Sequence, residues 1–397
     1  MEKYDVIVVG GGISGMSFAH YASKAGLGVL VLEKERIVGG SFHSVTLEKK
    51  PGDFWIELGA HTCYNSYRNL IEVMEDCGII DQISPRAKVP FRLLKGNQVK
   101  SFPSQINFLE LLISVPKLFT KKKEGETVKS YYGSIVGKKN FKKVFSALFS
   151  AVPSQNADEF PADALFKKRE RRKDILKHYT MKKGLGSITN AIAAHNKLEI
   201  KYGTEIGKIE KNDRGYTLKT DQGVFTSNHL AICTSITSVP DLIAGIAPAI
   251  AEAVEKIQHQ KIESFGVVTP KDVSELKPFA GLVPTDDDFF SAVSRDTIPN
   301  EDYRGFTFHF KPDILTTEQK LEKVCEVLGI TDEQIIETHE KLNVVPSLRL
   351  GHYELIDKID LLLKGSNLFV SGNYFAGLSI EDCVSRSKTE VERMVKQ

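Results

Sequence analysis

The sequence predicts an α/β fold in which one parallel sheet is assembled from discontinuous segments of the chain, with an α+β domain inserted between them. Three observations predict it: a strand–helix–strand pattern at the amino terminus, two later segments that return to such patterning, and intervening stretches of different character. We place the sheet domain at residues 1–84, 181–254 and 346–397. The inserted domain takes residues 85–180 and 255–345.

The amino-terminal pattern is the stretch VIVVGGGISGMSFAHYASKAGLGVLVLEKE. Val6–Val9 is a β-branched run that predicts a buried strand, and it leads at once into the glycine turn Gly10–Gly15. Met16–Ala25 has small and apolar residues at helical spacing. Val29–Leu32 predicts a second strand that ends in Glu33, so the whole stretch is predicted to form a βαβ unit.

The glycines of this unit have separate physical roles. Gly10 allows a tight turn, Gly12 lets the backbone approach a pyrophosphate, and Gly15 lets the helix lie close to the strand. The helix amino terminus holds a diphosphate without a basic side chain, and Glu33 is placed to accept the hydroxyls of an adenosine ribose. The ligand is therefore predicted to be NAD or FAD. The residues assigned to it here are Gly10, Gly12, Ile13, Ser14, Gly15, Glu33 and Lys34.

The segment after Glu33 favours FAD. It continues as KERIVGGS, with Gly39–Gly40 in a short loop, and then reaches WIELGAHTCYNS. This resembles the amine-oxidase and protoporphyrinogen-oxidase superfamily of FAD proteins, whose second strand leads into a GG loop over the diphosphate and then an ELG-type segment near the flavin. The family usually has an arginine after the GG pair; Ser41 stands there, so that contact is missing or is made by Arg36 or His43. The resemblance implies FAD contacts from Gly39, Gly40, Ser41, Gly59, Ala60 and His61.

Two later segments return to the Rossmann-like FAD-binding domain. Met181–His195 predicts a glycine turn that opens a helix, and it is followed by short strands with hairpin turns and by a strand at His229–Ser235. This is similar to the meander inserted in FAD-binding Rossmann domains. The resemblance implies that Ile206 contacts the adenine through its backbone, and Ile206 can serve as a core strand residue at the same time.

The carboxyl-terminal stretch NLFVSGNYFAGLSIEDC predicts a strand at Leu368–Ser371, a small loop and a final helix opened by Gly377–Ile380. A helix amino terminus aimed at the pyrimidine edge of a flavin stabilises the charge that develops on reduction. The loop resembles that of protoporphyrinogen oxidases, as does a P-x-x-x-x-G-H segment at Pro346–His352. A glycine-rich loop usual in that family is absent before EFPADALF, and the chain is short for it, which leaves room for a remodelled substrate pocket. The FAD contacts predicted here are Gly372, Asn373, Leu378, Ser379 and Ile380.

The resemblance implies an FAD-dependent oxidoreductase that takes a hydride from protoporphyrinogen or coproporphyrinogen to flavin N5. In the family an arginine pairs with a substrate propionate; Arg92 and Arg349 are the candidates, and each could equally be a solvated surface residue. The FAD is expected to be non-covalent, because no cysteine or histidine lies in the loop beside Gly372. An amine or polyene oxidoreductase and a non-redox isomerase resembling UDP-galactopyranose mutase stay open as alternatives.

A membrane-surface patch is one of two interpretations of Ile106–Lys123, in which an apolar run ends in three lysines. The other is a helical core face with a solvated lysine rim. Further basic clusters lie in GKKNFKKVFSALF and KKRERRKD. The expected small-molecule partner is hydrophobic and carries a propionate.

Composition excludes several classes of function. Fifty-three Lys and Arg against 51 Asp and Glu give a net charge of +2, so no nucleic-acid partner is expected. Five cysteines without CxxC spacing predict neither a metal site nor a disulfide framework. With the first strand starting within five residues and no long apolar span, we expect no signal peptide and a cytoplasmic protein with peripheral membrane contact. The sequence does not predict the oligomeric state.

Overall fold

The computed structural model describes residues 3–48 and 54–397. In this part of the chain the strands are β1 (Lys3–Val9), β2 (Val29–Leu32), β3 (Ser44–Thr46), β4 (Trp55–Glu57), β5 (Cys63–Tyr64), β6 (Ile83–Pro85), β7 (Phe91–Lys95), β8 (Gln98–Lys100), β9 (His178–Met181), β10 (Glu199–Lys201), β11 (Ile206–Asn212), β12 (Gly215–Thr220), β13 (Gly223–Ile232), β14 (His259–Pro270), β15 (Gly281–Pro284), β16 (Phe289–Ser294), β17 (Tyr303–Phe310), β18 (Glu337–Pro346) and β19 (Leu368–Val370). The α-helices are α1 (Ile13–Lys24), α2 (Arg68–Asp76), α3 (Phe108–Ser114), α4 (Val128–Val136), α5 (Lys138–Asn140), α6 (Ser146–Ala151), α7 (Gly186–His195), α8 (Val239–Ile243), α9 (Pro248–Glu255), α10 (Thr317–Leu328), α11 (His352–Leu363) and α12 (Ile380–Val395).

The first sheet has the parallel order β10-β2-β1-β13-β19, and β11 and β12 extend the first half of β13 as an antiparallel meander. Alternate residues of β1 point to opposite faces, as in any strand. Val6 and Val8 join a core with α1, α2, α7 and α12, and Ile7 and Val9 join a second core with α8, α9 and α11. Helices therefore cover both faces, and the predicted α/β fold with a sheet built from separate segments is confirmed.

Element boundaries differ from the prediction by a few residues. The helix α1 begins at Ile13 and not at Met16, because Gly12 is the extended N-cap residue and the glycine turn already continues into the helix. The final helix begins at Ile380, since Ser379 caps it. The strands predicted to end at Ser235 and Ser371 are shorter in the structure. The first, β13, ends at Ile232, and the second, β19, ends at Val370.

The second sheet has the order β18-β14-β17-β16-β15-β7-β8. Its pairs are antiparallel except β15 with β7. One face packs on α10 through Val324 and Leu328, and β4 packs against β14 and β17 through residues such as Ile56. The hydroxyl of Thr307 on β17 donates to the carbonyl of Glu57 at 2.8 Å, so the segment that follows β4 is fixed where the two sheets meet.

The helix α3 has the opposite orientation to a core helix, with its polar side towards the protein and its apolar side towards solvent. The carboxylate of Glu110 accepts the backbone N–H groups of Lys139 and Asn140, both at 2.9 Å, so the polar side of α3 faces the protein. The apolar side faces outward, with Phe108, Leu109, Leu112 and Ile113 between 62 and 72% exposed. The interpretation of this stretch as a core face is therefore wrong. In residues 3–48 and 54–397, no helix combines the length and apolar character needed to cross a bilayer.

Candidate functional site

The carboxyl ends of the parallel strands β1, β2, β13 and β19 meet at one edge of the first sheet, where α/β proteins bind their ligands. The glycine turn between β1 and α1 lies at this edge. A Cβ on Gly15 would stand 1.8 Å from the carbonyl oxygen of Gly10, and Gly10 itself has a φ of +101°. Neither position accommodates a side chain, so α1 can lie directly against the turn.

Glu33 stands beside this turn at the end of β2, and its side chain is buried. One carboxylate oxygen accepts the N–H of Gly11 at 2.5 Å, and the other accepts the N–H of Glu35 at 2.8 Å. The carbonyl of Glu33 accepts the N–H of Thr204, just before β11. A carboxylate is thus held beside the glycine turn, and Ile206, at the start of β11, follows within two residues of that contact. Lys34 is exposed and pairs with Glu35 at 3.7 Å.

The GG loop lies directly on the glycine turn. The N–H of Gly39 donates to the carbonyl of Gly11 at 2.9 Å, and the Lys341 ammonium donates to the carbonyl of Gly40. Lys341 comes from β18 of the second sheet and was not predicted from the sequence. Its burial lowers its pKa to about 8. A pKa of about 8 still leaves most of the side chain protonated at pH 7. Lys341 is therefore a cation beside the loop, at a place where the family that this segment resembles usually has an arginine next to the GG pair.

Two residues were suggested as substitutes for that arginine, Arg36 and His43. Arg36 is exposed. Burial, followed by the nearby charge of Lys341, lowers the pKa of His43 to about 4. His43 is therefore neutral near pH 7 and supplies no positive charge.

The segment from Glu57 to His61 lies against the GG loop. The N–H of Ala60 donates to the carbonyl of Ser41 at 2.9 Å, and a Cβ on Gly59 would stand 2.2 Å from that same oxygen. Burial, followed by the charge of Arg86, lowers the pKa of His61 to about 4. The structure thus brings Gly39–Ser41 and Gly59–His61 together, as the prediction requires of one site.

Glu57 is a buried carboxyl at the start of this segment. Its two oxygens accept the N–H of Leu185 at 2.7 Å and the hydroxyl of Ser44 at 2.8 Å. Burial raises its pKa to about 7, in spite of both hydrogen bonds. Glu57, on β4, thereby joins β3 to the turn before α7.

The carboxyl terminus closes the same edge. The hydroxyl of Ser387 on α12 donates to the carbonyl of Ser14 at 2.7 Å, which joins the last helix to the glycine turn. Ser379 and Asp382 form a capping box at the start of α12, so the N–H of Ser379 is paired within the helix end. A Cβ on Gly372 would stand 2.2 Å from the ring of Tyr374, so the glycine is needed here for packing. Of the other assigned residues, Asn373 follows Gly372 in the chain, Leu378 precedes the cap residue Ser379, and Ile380 is the first residue of α12.

The two arginines assigned to substrate are Arg92 and Arg349. Arg92 is on β7 opposite Leu282, within the second sheet. Arg349 donates to the carbonyl of Leu348 at 2.9 Å and lies 5.8 Å from the ring centre of Phe160. Among the described residues, neither arginine forms a hydrogen bond or ion pair with the glycine turn, the GG loop or residues 57–61.

The residues at this edge fit a dinucleotide. Besides the glycine turn and the Glu33 carboxylate, the hydroxyl of Thr234 is buried with no hydrogen-bond partner among the described residues, just after β13. A Cβ on Gly10 would stand 3.3 Å from the Thr234 nitrogen, so this orphaned hydroxyl adjoins the turn. A ligand with several hydroxyl and phosphate oxygens can satisfy it. Within 3–48 and 54–397, no group of three or more His, Cys, Asp or Glu side chains could hold a metal ion.

Two family models match the chain. The NAD(P)-binding Rossmann-like domain matches residues 8–77, and the flavin containing amine oxidoreductase matches residues 122–253. Both segments contribute strands to the sheet that carries the glycine turn.

Two curated proteins and one solved structure show how far the similarity extends. The chloroplastic protoporphyrinogen oxidase of Nicotiana tabacum is 21% identical over 468 residues, covering 96% of this chain and 84% of that protein. The probable flavin-containing monoamine oxidase A of Dictyostelium discoideum is 36% identical over 76 residues, only 19% of this chain and 16% of that protein. The crystal structure of a putative protoporphyrinogen oxidase from Exiguobacterium sp. 255-15 superposes with a TM-score of 0.81 at 17% identity, covering 100% of this chain and 99% of that one. The similarity in fold therefore spans the whole chain.

Proposed function

We propose that the chain is a protoporphyrinogen oxidase-like member of the flavin-containing amine oxidase superfamily, which binds FAD non-covalently and oxidises a porphyrinogen. The observation that carries the proposal is the meeting of both chain ends at one sheet edge. Ser387 on the last helix bonds Ser14 in the first, beside the buried Glu33 carboxylate. Such an edge suits a long dinucleotide that runs from the glycine turn towards the start of α12.

This chain's residues would hold the cofactor as follows. Glu33 would accept the ribose hydroxyls, and the amino end of α1 would bind the diphosphate. Lys341 would place a cation beside the diphosphate, opposite the loop of Gly39–Gly40. Flavin, when bound, supplies a hydride acceptor at N5. The protein then has to position a hydrophobic substrate against it and exclude water.

An amine oxidase is the second candidate, because the matching family model and the Dictyostelium protein both carry that activity in their names. That class typically uses paired aromatic side chains around the flavin, for which Trp55 and Tyr374 are weak sequence candidates. In the structure Tyr374 has no exposed surface, and its ring lies 5.1 Å from that of Phe375. The indole N–H of Trp55 donates to the carbonyl of Lys182 at 2.9 Å. Tyr374 is therefore a core residue and is not available for such a pair, which favours the porphyrinogen proposal.

Parallel reduction of the bound flavin tests the proposed substrate. The holoprotein is mixed anaerobically with protoporphyrinogen, coproporphyrinogen, a set of primary amines and UDP-galactose, while the flavin absorbance is followed. We expect a porphyrinogen to bleach the flavin. A porphyrin absorbing in the Soret region should appear only after oxygen is admitted, because its formation needs repeated rounds of flavin reduction and reoxidation. Bleaching by an amine alone would replace the porphyrinogen proposal by the amine-oxidase one.

We also propose that the outward face of α3 and the turn after it docks on an anionic membrane surface. The apolar side chains continue beyond α3 as Leu118 and Phe119, which are 50 and 85% exposed. The lysines at 117 and 121–123 lie next to them in the chain. An exposed apolar face rimmed by ammonium groups is the pattern that favours an anionic lipid interface. A hydrophobic substrate would then reach the protein from the membrane.

Replacing Leu112 and Phe119 together by serine is expected to weaken vesicle binding by about tenfold or more, because each side chain loses apolar burial in the lipid interface. Binding is measured by co-sedimentation with equimolar phosphatidylcholine and phosphatidylglycerol. Leu361→Ser is the matched control, since Leu361 is as exposed as Leu112, at 72%, but lies on α11. Equal binding of the wild type and the double variant would contradict the proposal.

A further inference from the structure

A small cavity lies beside the segment 57–61, where β4, β9 and the connection from β16 to β17 meet. Its volume is about 30 Å³, so it admits a small group and not a whole substrate. Its wall includes His61, which belongs to the segment predicted to face the flavin. Two arginines, Arg86 and Arg295, contribute to the same wall.

Neither guanidinium has a carboxylate partner among the described residues. Arg86 donates to the hydroxyls of Thr62 and Thr297, the second at 3.3 Å. Arg295 donates one N–H to the carbonyl of Ile298 at 2.7 Å, and its Nε is buried with no partner. Both groups are thus satisfied only in part, and by neutral acceptors.

Glu57 lies in the wall of the same cavity, and its charge acts to raise the pKa of Arg295, but its oxygens are bonded to other donors. Glu57 bonds the Leu185 N–H and the Ser44 hydroxyl, and Asp296 forms a bidentate pair with Arg304 at 2.7 and 2.9 Å. Burial lowers the pKa of Arg295 to about 10, which shows that its charge is costly where it stands. A buried guanidinium that bonds no carboxylate is unfavourable, and an anion that enters the cavity and accepts its free N–H would relieve this cost.

We propose that Arg86 and Arg295 form a carboxylate-binding subsite for the substrate. A planar carboxylate matches the fork of guanidinium donors, and the orphaned hydroxyl of Thr180 in the same wall can donate to it as well. The cavity has room for the acid group, while the apolar remainder of the molecule would extend from it past His61. This proposal rests on the proposed function, because it makes that function's substrate an acid, and it moves the carboxylate contact from Arg92 and Arg349 to a different pair.

Trp55 provides a direct readout, because it is the only tryptophan of the chain and the guanidinium of Arg295 lies 4.7 Å from its ring centre. The holoprotein is titrated with propionate, with neutral propionamide and with inorganic phosphate while tryptophan fluorescence is recorded. We expect a saturable change with propionate and none with the amide. A response to phosphate stronger than that to propionate would overturn the assignment to a carboxylate.

Two variants and one control complete the test. Arg86→Met and Arg295→Met should each weaken propionate binding at least about tenfold, the loss expected for a charge-assisted hydrogen bond. Arg214→Met, at an exposed turn, should leave it unchanged. Circular dichroism checks that each variant is folded. Arg295 also stacks on Phe54 at 4.4 Å, so Arg295→Met can fail to fold. In that case the propionate affinity of Arg86→Met tests the proposal. Propionate affinity unchanged in Arg86→Met would overturn the proposal.

The titration needs no turnover, so it separates the two proposals. Propionate binding that depends on the arginines, without porphyrinogen oxidation, would keep the subsite and assign it to a different acid. Porphyrinogen oxidation without propionate binding would keep the activity and reject the subsite.

Discussion

Gly15→Ala is expected to yield a protein that retains no flavin and is less stable by on the order of 3 kcal/mol. The methyl group would stand 1.8 Å from the carbonyl oxygen of Gly10, far inside van der Waals contact, so α1 must move away from the turn. That movement also separates the amino end of α1 from the Glu33 carboxylate. Flavin content after gel filtration and urea unfolding measure the two effects.

Gly245→Ala is the matched control, because a Cβ on Gly245 meets no atom within 4 Å and its φ is not in the left-handed region. It should keep its flavin and the wild-type stability. Normal flavin content in Gly15→Ala would show that the turn tolerates a side chain, and the geometry described for the dinucleotide edge would then be wrong.

Glu57→Gln is expected to gain stability over the wild type as the pH rises from 4.5 to 7. The folded protein holds the proton of Glu57 up to a pKa of about 7, whereas the unfolded chain releases it near 4.5. Since the folded state binds more protons in this window, the wild type loses stability as the pH rises through it. The difference between the two pKa values corresponds to about 3 kcal/mol, and glutamine, which cannot ionise, avoids that loss.

Urea unfolding of both proteins at pH 5 and pH 8 measures this effect. The comparison isolates Glu57, because the other groups with shifted pKa values, such as His43 and His61, are present in both proteins. Above pH 7 the difference should stay constant. A difference that is the same at pH 5 and pH 8 would mean that Glu57 is ionised throughout and that its burial does not raise its pKa.

The dinucleotide edge could be predicted from sequence because its signals are local. Strand, glycine turn, helix and the acid after the second strand lie within about 30 residues and fix each other's geometry. The GG loop and the segment Gly59–His61 needed the resemblance, since as isolated residues they are compatible with any strand-to-turn connection. Their contact through Ser41 is visible only in the fold.

The charged residues that come from distant parts of the chain could not be predicted in the same way. Lys341 reaches the carbonyl of Gly40 from a strand about 300 residues later, and no spacing in the sequence encodes that contact. Arg86 and Arg295 follow no motif, and they line one cavity only because the chain after β6 and the chain after β16 come together there. Periodicity likewise could not decide the orientation of α3, because an apolar stripe is the same whether it faces a core or a solvent. The hydrogen bonds from the backbone of Lys139 and Asn140 to Glu110 show which side of α3 faces the protein.

The central claim is that both ends of the chain hold one non-covalent FAD at the edge of the first sheet. The most direct measurement is the stoichiometry and release of the bound cofactor. Purified protein is precipitated with acid, and the supernatant is analysed for FAD, FMN and NAD by chromatography against protein concentration. We predict one FAD per chain, all of it in the supernatant. Colour that stays with the precipitate would contradict non-covalent binding, and NAD in place of FAD would contradict the assignment of the site.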